Sequence, residues 1–411
     1  MLLRLPILRS LGIPAVALLW AGLATSSVGD QLFAVVLNWA AVGVFGAAAG
    51  YLVALQAGTT LLFALALGGW ADRWDHRGTM VAADLGRAGV LLAVVLAWTL
   101  AGDPPAWSLI ACVLALAVGQ ALFRPAMQAT LPTLVEDTRL LPGANGLLDT
   151  TERIARLLGP GLVALASGLV PLVHFVTFDA MTFLTSALAV AGVARLRPLA
   201  RGPALACGTM LENVMRGFRA VGRHRLLAFQ LGGAGINNGG WYAAYFLCAP
   251  LALSRAGYSL ASFGLLISAY GSTNLVTTLI VGGMDVTRRP AWLMFGGNLF
   301  LGSGIVLLGM VAAFAPRDLL LPLSCACAAL SAIGGPMQDI TTATLRQTSL
   351  PRADLAAAVR AFMVMNALGM LVTLLAAPGI IDRIGVATAI AVCGVAVLAV
   401  GTFGLLRFGR S

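Results

Sequence analysis

The chain has 411 residues, of which 59% are hydrophobic and 10% are charged. Soluble domains carry about 25% charged residues, so this composition excludes a water-soluble globule as well as the secreted, fibrous and disordered classes. The net charge is +10, but the 26 basic residues are all arginines that fall in every second predicted loop. That distribution indicates membrane topology rather than binding of nucleic acid.

Long apolar runs follow one another along the whole chain and are separated by short segments with Gly, Pro and charge. In a bilayer each span must satisfy its own backbone hydrogen bonds, and such runs do so as helices. The sequence therefore predicts an all-α polytopic membrane protein with twelve transmembrane helices in two six-helix bundles. The predicted spans are 13–37, 44–70, 80–100, 106–129, 146–169, 172–194, 226–253, 259–284, 291–314, 319–345, 356–378 and 386–406.

The positions of the arginines predict the orientation of these spans. All but three, Arg255, Arg317 and Arg383, fall on the side of the membrane that carries the N-terminus. Basic residues accumulate on the cytoplasmic side of membrane proteins. We therefore expect a multi-pass protein of the bacterial cytoplasmic (inner) membrane with both termini in the cytoplasm.

An arginine-rich segment divides the spans into two sets of six. We expect an N-terminal six-helix bundle at 1–195, a cytoplasmic basic linker at 196–225 and a C-terminal six-helix bundle at 226–411. The arginines of the linker favour an anionic lipid surface. The predicted partners are the lipid bilayer and a small-molecule substrate, with no nucleic acid, and we expect a monomer.

The segment after the second span has a specific motif, GGWADRWDHR over residues 68–77. It resembles the signature loop of the major facilitator superfamily, whose pattern is G-x-x-x-D-R-x-G-x-R. The match departs at Asp75, where the pattern has Gly. A degenerate copy, DVTRR over residues 285–289, follows the eighth span, as expected for two related halves around a central site.

Shorter motifs in the first half resemble one branch of that superfamily, the enterobactin exporters and macrolide efflux pumps, which work as drug:proton antiporters. The resemblance is denser in the first half of the chain than in the second. The motifs are Gly29-Asp30, Ala83-Asp84-Leu85-x-Arg87-Ala88, Arg124-Pro125-Ala126, Arg156-Leu-Leu-Gly159-Pro160 and Asp179-Ala180-x-Thr182-Phe183.

This resemblance implies a secondary active efflux transporter that exports a small amphipathic molecule by proton-coupled alternating access. The substrate class that it favours is a siderophore. It implies no cofactor beyond the proton gradient. Two departures weigh against antiport: Ala115 stands where the pattern has an arginine four residues before Gly119, and the antiporter motif of the fifth span is reduced to Gly159-Pro160.

Several alternatives remain open at this point. A multidrug or macrolide efflux pump and an importer would use the same fold. A non-transporting sensor or scaffold would need a folded domain in the cytoplasm, which the sequence does not contain. We expect no enzyme and no metal site, because no phosphate-binding loop, nucleophile elbow or metal-spaced His and Cys set is present.

Three acids lie far inside predicted spans, where a charge costs a few kcal/mol and calls for an explanation. Asp30 and Asp179 lie in the outer halves of the first and sixth spans, and Asp339 lies in the inner part of the tenth. A carboxyl group that alternately takes and releases a proton is what a proton-coupled antiporter requires. The alternative for each is a hydrogen bond between helices.

The middle of the seventh span combines amides with aromatic rings. Aromatic rings suit a ligand that is amphipathic or bears a ring, and spacings of three and four residues place the side chains on one helical face. The alternative is a seam of hydrogen bonds between helices. The candidate substrate-binding residues are Asn237, Asn238, Trp241, Tyr242, Tyr245 and Gln338.

The two signature loops indicate a gate at the cytoplasmic mouth. An acid there can face the positive N-terminal end of a helix and pair with arginines when this side is shut. The alternative is a solvated loop whose arginines only fix the topology. The candidate gate residues are Gly68, Asp72, Arg73, Arg77, Arg124, Asp285 and Arg288.

Overall fold

The computed structural model describes residues 10–67, 75–135, 140–196 and 210–409, and nearly all of them are helical. No strand occurs in these ranges, which confirms the predicted all-α class. The helices are α1 (Pro14–Phe45), α2 (Ala49–Leu67), α3 (His76–Ala101), α4 (Ala106–Leu134), α5 (Leu141–Ala166), α6 (Leu172–Leu196), α7 (Met210–Gly222), α8 (Arg225–Tyr242), α9 (Ala249–Arg255), α10 (Leu260–Gly282), α11 (Pro290–Phe314), α12 (Arg317–Ser349), α13 (Arg352–Ile384) and α14 (Val386–Phe408).

Nine helical runs within these ranges are long and apolar enough to cross a membrane. One of them, Pro14–Phe63, contains α1 and most of α2 and so provides two spans. Two further helical segments are long but more polar: α5, with Glu152, Arg153 and Arg156 in its first half, and α8 continued by α9. Together these segments correspond to the twelve predicted spans.

A break at Gly46 separates α1 from α2. Its φ of +57° lies in the left-handed region, which only glycine enters at little cost. A Cβ at this position would meet no atom within 4 Å, so backbone conformation rather than packing calls for glycine here.

The described residues form two compact units. The first comprises residues within Met1–Ala40 and Thr59–Cys207, and the second comprises Ala41–Gly58 and residues within Gly208–Ser411. The predicted boundaries at 195 and 226 stay a prediction, since residues 197–209 lie outside the described ranges.

The second half of the predicted linker is the helix α7, which packs on α13. A Cβ at Gly217 would lie 2.0 Å from the carbonyl oxygen of Ala357, so the two backbones are in contact. Arg216 Nε also donates to Asp354 Oδ1 at 2.8 Å. Val221, at the end of α7, is fully buried. Contact of the linker with lipid stays a prediction. In α7 it would involve the face that does not pack on α13.

Small residues allow α11, α12 and α14 to approach closely within the second unit. A Cβ at Gly304 would lie 2.2 Å from Ser331 Oγ, and one at Gly302 would lie 2.9 Å from the carbonyl oxygen of Gly394. Membrane helices associate through such close contacts, because lipid gives no hydrophobic drive between them.

The seventh predicted span changes its winding half-way. After Tyr242 the helix continues as a π segment, Ala243–Cys248, before α9 begins. Pro250 lies in the first turn of α9 and has no N–H to donate, which accounts for the loosened winding just before it. Every side chain beyond Tyr242 is therefore rotated from the direction that a regular helix gives it.

Candidate functional site

A buried ion pair lies inside the first unit, on α3. Asp84 and Arg87 are separated by three residues, and the Arg87 guanidinium donates to Asp84 Oδ1. The exposed fractions of the two side chains are 0% and 6%. Asp84 lies about 12 Å along α3 from its first residue, well inside an apolar helix.

Aromatic rings and a glycine form the cavity in which Arg87 lies. Its Cζ is 4.0 Å from the ring centroid of Phe183 on α6 and 5.3 Å from that of Phe123 on α4. A Cβ at Gly119 would lie 2.4 Å from Arg87 Cδ, so only glycine leaves room for this side chain. Ring faces attract a guanidinium, and more strongly where water is excluded.

Two of the predicted coupling acids meet in the same unit. A Cβ at Gly29 would lie 2.6 Å from Asp179 Oδ1 and 2.4 Å from Thr182 Oγ1, so the backbone of α1 touches α6 beside Asp179. Asp30 is the next residue and is half-buried, whereas Asp179 is completely buried. Asp179 Oδ2 has no hydrogen-bond partner within the described part of the chain.

Charge connects these acids with the ion pair on α3. Asp30 lies within electrostatic range of Asp84 and Arg87, and Asp179 lies within range of Asp30 and Arg87. We call Asp30, Asp84, Arg87 and Asp179 the charge cluster. It contains three carboxyl groups and one guanidinium.

Asp84 and Arg87 belong to a family-like motif of the sequence, but the motif by itself predicts no role for them. The signal that identifies them is an acid and an arginine three residues apart inside a predicted span, 80–100. Opposite charges at this spacing share a helical face, and a span tolerates charges only where they are partnered.

A groove runs between α3 and α4 of the first unit, with a volume of about 860 Å³. Small and apolar side chains line most of it, and Arg87 is the buried charge on its wall. Ala115, which stands in place of the expected arginine, lines the groove together with Gly119. Among the described residues that line the groove, the positive charge therefore comes from α3 alone.

Asp75 has a structural role that explains its departure from the signature pattern. It is the N-cap of α3, and its Oδ2 accepts the backbone N–H of Gly78 at 3.0 Å. Such a cap contributes about 1 kcal/mol to helix stability. Gly68, Asp72 and Arg73 of the predicted gate lie outside the described residues.

The other gate candidates of the first unit make polar contacts. Arg77 Nη2 donates to the carbonyl oxygen of Ala191 at 3.2 Å, which ties the start of α3 to the end of α6. Arg124 Nη2 donates to Glu152 Oε2 at 2.5 Å, and this pair joins α4 to α5 near the surface. Their role in gating stays a prediction.

Asp285 and Arg288 form an exposed pair between α10 and α11, with 3.2 Å between Asp285 Oδ2 and Arg288 Nε. Asp285 Oδ1 also accepts from the hydroxyl of Thr287 at 2.5 Å and from its backbone N–H at 3.1 Å. These two hydrogen bonds, with the Arg288 charge as a smaller contribution, lower the pKa of Asp285. The degenerate loop therefore forms a local turn of its own.

Three amides form a buried cluster in the second unit. Asn237 Nδ2 on α8 donates to Asn298 Oδ1 on α11 at 3.1 Å and to Gln338 Oε1 on α12 at 3.0 Å. All three side chains are almost fully buried. Asn237 Oδ1, Asn298 Nδ2 and Gln338 Nε2 have no partner among the described residues. We call these residues the amide cluster.

An aromatic cluster lies one turn further along α8. The Trp241 ring is 4.8 Å from Tyr242, 5.1 Å from Phe246 and 5.6 Å from Tyr270, measured between centroids. All four rings are half-buried. The indole Nε1 of Trp241 is buried and has no hydrogen-bond partner in the described part of the chain.

The remaining candidates of the second unit lie elsewhere. Asn238 Nδ2 donates to the carbonyl oxygen of Asn366 at 3.1 Å, between α8 and α13. Tyr245 is fully buried and donates its hydroxyl to Ser331 Oγ at 2.7 Å. Asp339 is exposed and within electrostatic range of Arg346. The structure therefore groups Asn237 with Gln338 and Trp241 with Tyr242. The ring of Tyr245 also contacts Tyr270 of the aromatic cluster, with 5.2 Å between centroids, whereas Asp339 is exposed on α12.

Comparisons with known proteins bear on the fold. No protein-family model matches the sequence, and no curated protein does. Many solved structures are similar in fold, among them the following three, which match over almost their whole length. A POT family transporter in complex with 5-aminolevulinic acid has a TM-score of 0.73 at 12% identity, and the match covers 96% of each chain.

A bacterial homologue of the iron transporter ferroportin, in the inward-facing state, has a TM-score of 0.71 at 15% identity and covers 97% of this chain and 98% of its own. A mutant of the nucleoside transporter NupG has a TM-score of 0.67 at 13% identity and covers 95% and 100%. The chain has the major facilitator fold. This confirms the predicted fold class, and the apolar helical runs together with this fold make the chain a multi-pass membrane protein. The resemblance to enterobactin exporters and macrolide pumps stays a prediction.

Proposed function

We propose that the chain is a secondary active transporter that exports a small amphipathic molecule, most specifically a siderophore, by proton-coupled alternating access. The fold supports a transporter, and the direction, substrate and coupling are our inferences. Major facilitator chains reach both sides of the membrane by alternate opening of two helix bundles around a site near the midplane. We place the chain in the bacterial inner membrane with both termini in the cytoplasm, because its arginines are so unevenly distributed.

The charge cluster is the observation that carries the proposal. In the first unit one guanidinium is paired with the carboxyl of Asp84 and lies within electrostatic range of the carboxyls of Asp30 and Asp179. Uncompensated charge inside a membrane costs a few kcal/mol per group, and protons taken up by the carboxyls remove it. A cluster that holds protons while closed and releases them when open to water couples transport to the proton gradient.

The substrate class is inferred from the second unit. The half-buried aromatic cluster offers ring faces, the buried Trp241 Nε1 offers a donor, and the nearby amide cluster offers donors and an acceptor without a partner. None of these groups carries a charge. Rings and amides of this kind suit a bulky neutral or zwitterionic molecule with aromatic parts, which describes many siderophores.

The gate belongs to the same proposal. We infer that Asp72, Arg77 and Arg124 hold the state in which the cytoplasmic side is shut. Contacts of Arg77 with α6 and of Arg124 with α5 support this inference, since both arginines lie where helices of the first unit meet. The pair of Asp285 and Arg288 is then a weakened counterpart in the second unit.

The test compares cell contents and growth medium by mass spectrometry in a deletion strain under low and high iron. The strain is complemented with the wild type, with Asp30→Asn or with Asp103→Asn, whose acid is exposed in the loop between α3 and α4. We expect an iron-chelating metabolite to be retained by the deletion strain and by Asp30→Asn, and exported by the wild type and Asp103→Asn.

Other outcomes separate the alternatives. If only drug susceptibility changes, the protein is a multidrug or macrolide pump and the siderophore proposal is wrong. If the deletion strain takes up less of a compound from the medium, the protein is an importer. Equal export by Asp30→Asn and the wild type would show that Asp30 does not couple protons to transport.

A further inference from the structure

The positive charge of the charge cluster comes from α3, and α4 supplies only the space for it. Arg87 lies against Gly119, where any Cβ would overlap its Cδ and Cγ, at 2.4 and 2.5 Å. The α4 residue one turn earlier, Ala115, has no charge and lines the same groove. The buried cation therefore lies on α3, whereas the superfamily pattern has an arginine on the fourth span at the position of Ala115.

The spacing along α6 places Arg87 beside Asp179. The guanidinium stacks on Phe183 with its Cζ 4.0 Å from the ring centroid. Asp179 is four residues before Phe183, so the carboxyl group and the ring share one face of α6. Arg87 Nε and Asp179 Oδ2 are both buried and without partners among the described residues. The stacking site of the guanidinium on Phe183 is therefore about one turn of α6 from Asp179. The donor Arg87 Nε and the acceptor Asp179 Oδ2 each lack a hydrogen bond within the described residues.

Charged and titratable groups face this site from every helix packed around it. They are Asp30 on α1, Asp84 on α3, Cys112 and Arg124 on α4, Glu152 on α5 and Asp179 on α6. Arg124 already binds Glu152 at 2.5 Å, which leaves Arg87 as the cation for the three carboxyls of the charge cluster among the described residues.

We propose that Arg87 is the positioning residue of the coupling site: it pairs with Asp84 while Asp30 and Asp179 hold protons, and turns to them when the protons leave. This inference rests on the proposed proton coupling. The ring of Phe183 provides a face along which the planar guanidinium moves without losing its favourable contact. Gly119 leaves the space for that movement.

The test measures the thermal unfolding midpoint of the purified full-length protein in lipid between about pH 5 and pH 8, with the proton as the only ligand. In Arg87→Gln the native state keeps the three carboxyls of the charge cluster without their cation and has to bind additional protons. The unfolded chain does not bind them in this range, so stability falls as pH rises. For one extra proton we expect the midpoint to fall by about 5 °C more than in the wild type.

Three further variants make the result specific. Arg87→Lys keeps the charge and should restore the wild-type dependence on pH, even if its midpoint is lower at every pH. Asp84→Asn removes one carboxyl and frees Arg87 for Asp30 and Asp179, so its dependence on pH should be no steeper than that of the wild type. Arg223→Gln removes an exposed arginine between α7 and α8 and should resemble the wild type.

A merely structural arginine gives a different pattern. In that case Arg87→Gln and Arg87→Lys lower the midpoint equally at all pH values, and the inference is overturned. Because this measurement needs no substrate, its failure leaves export itself intact. Conversely, if the expected pH pattern is found but the protein does not export, the proposed function is overturned. The role of Arg87 as the cation of the charge cluster then still stands.

Discussion

Arg87 on α3 lies in a space that exists only because residue 119 on α4 is glycine, since a Cβ there would lie 2.4 Å from Arg87 Cδ. A buried charge, a glycine on the next helix and an aromatic ring on a third helix therefore depend on one another. This relationship makes the charge cluster testable by changes that alter shape alone.

The substitution Gly119→Ala should displace Arg87 without changing any charge. We expect a loss of about 1–3 kcal/mol of stability, typical of overpacking, together with the steeper dependence on pH expected for Arg87→Gln. The measurement is the unfolding midpoint as a function of pH. Gly89→Ala on α3 is the control, because its Cβ would meet nothing within 4 Å. Equal effects of the two substitutions would contradict the prediction.

The contact between α11 and α12 offers a test of packing. At Gly304 a Cβ would lie 2.2 Å from Ser331 Oγ and 2.6 Å from the carbonyl oxygen of Cys327, so Gly304→Ala should separate the helices. We expect a loss of about 2 kcal/mol or more. Gly296→Ala on the same helix would contact only the end of a flexible methionine, at 3.8 Å, and should be near neutral. Thermal unfolding of both variants measures the difference, and equal losses of stability would contradict the prediction.

The amide cluster should be sensitive to loss of its central donor. Asn237→Ala leaves the oxygens of Asn298 and Gln338 buried without a hydrogen bond, which costs about 1–3 kcal/mol. Asn238→Ala removes one bond from a half-buried side chain and should cost less. Unfolding in denaturant measures both, and a smaller loss in Asn237→Ala would show that water or ligand already satisfies the cluster.

Tyr245 and Trp241 should separate stability from substrate binding. Tyr245→Phe loses a buried hydrogen bond to Ser331 and about 1 kcal/mol of stability, with the apparent KM for export unchanged. Trp241→Ala opens the aromatic cluster and should raise that KM several-fold. A rise in KM for Tyr245→Phe with none for Trp241→Ala would place the substrate elsewhere.

The fold was predictable from the sequence because the lengths of apolar runs map directly onto helices. Two spans are polar enough to be ambiguous: α5 carries a group of charges in its first half, and α8 contains amides and glycines. Periodicity placed Tyr245 near the aromatic rings, and its ring is 5.2 Å from that of Tyr270, but it did not show the π segment at Ala243–Cys248 or the buried hydrogen bond to Ser331. A regular spacing of residues cannot reveal such a change of winding.

The candidate sites were predictable only in part. An acid inside a span identified Asp30 and Asp179, but their proximity depends on Gly29 at the contact of α1 with α6. Asp84 and Arg87 lie near the start of their span, where a charge is usually taken for an interfacial residue. Their burial depends on side chains from α4 and α6 that are distant in sequence.

The most direct test of proton-coupled export uses the purified protein in sealed lipid vesicles and the compound that the deletion strain retains. An imposed pH gradient should drive accumulation by the wild type, whereas Asp30→Asn and Asp179→Asn should exchange the compound across the membrane without responding to the gradient. If both variants accumulate the compound as fast as the wild type under the same gradient, these carboxyls do not couple protons to transport.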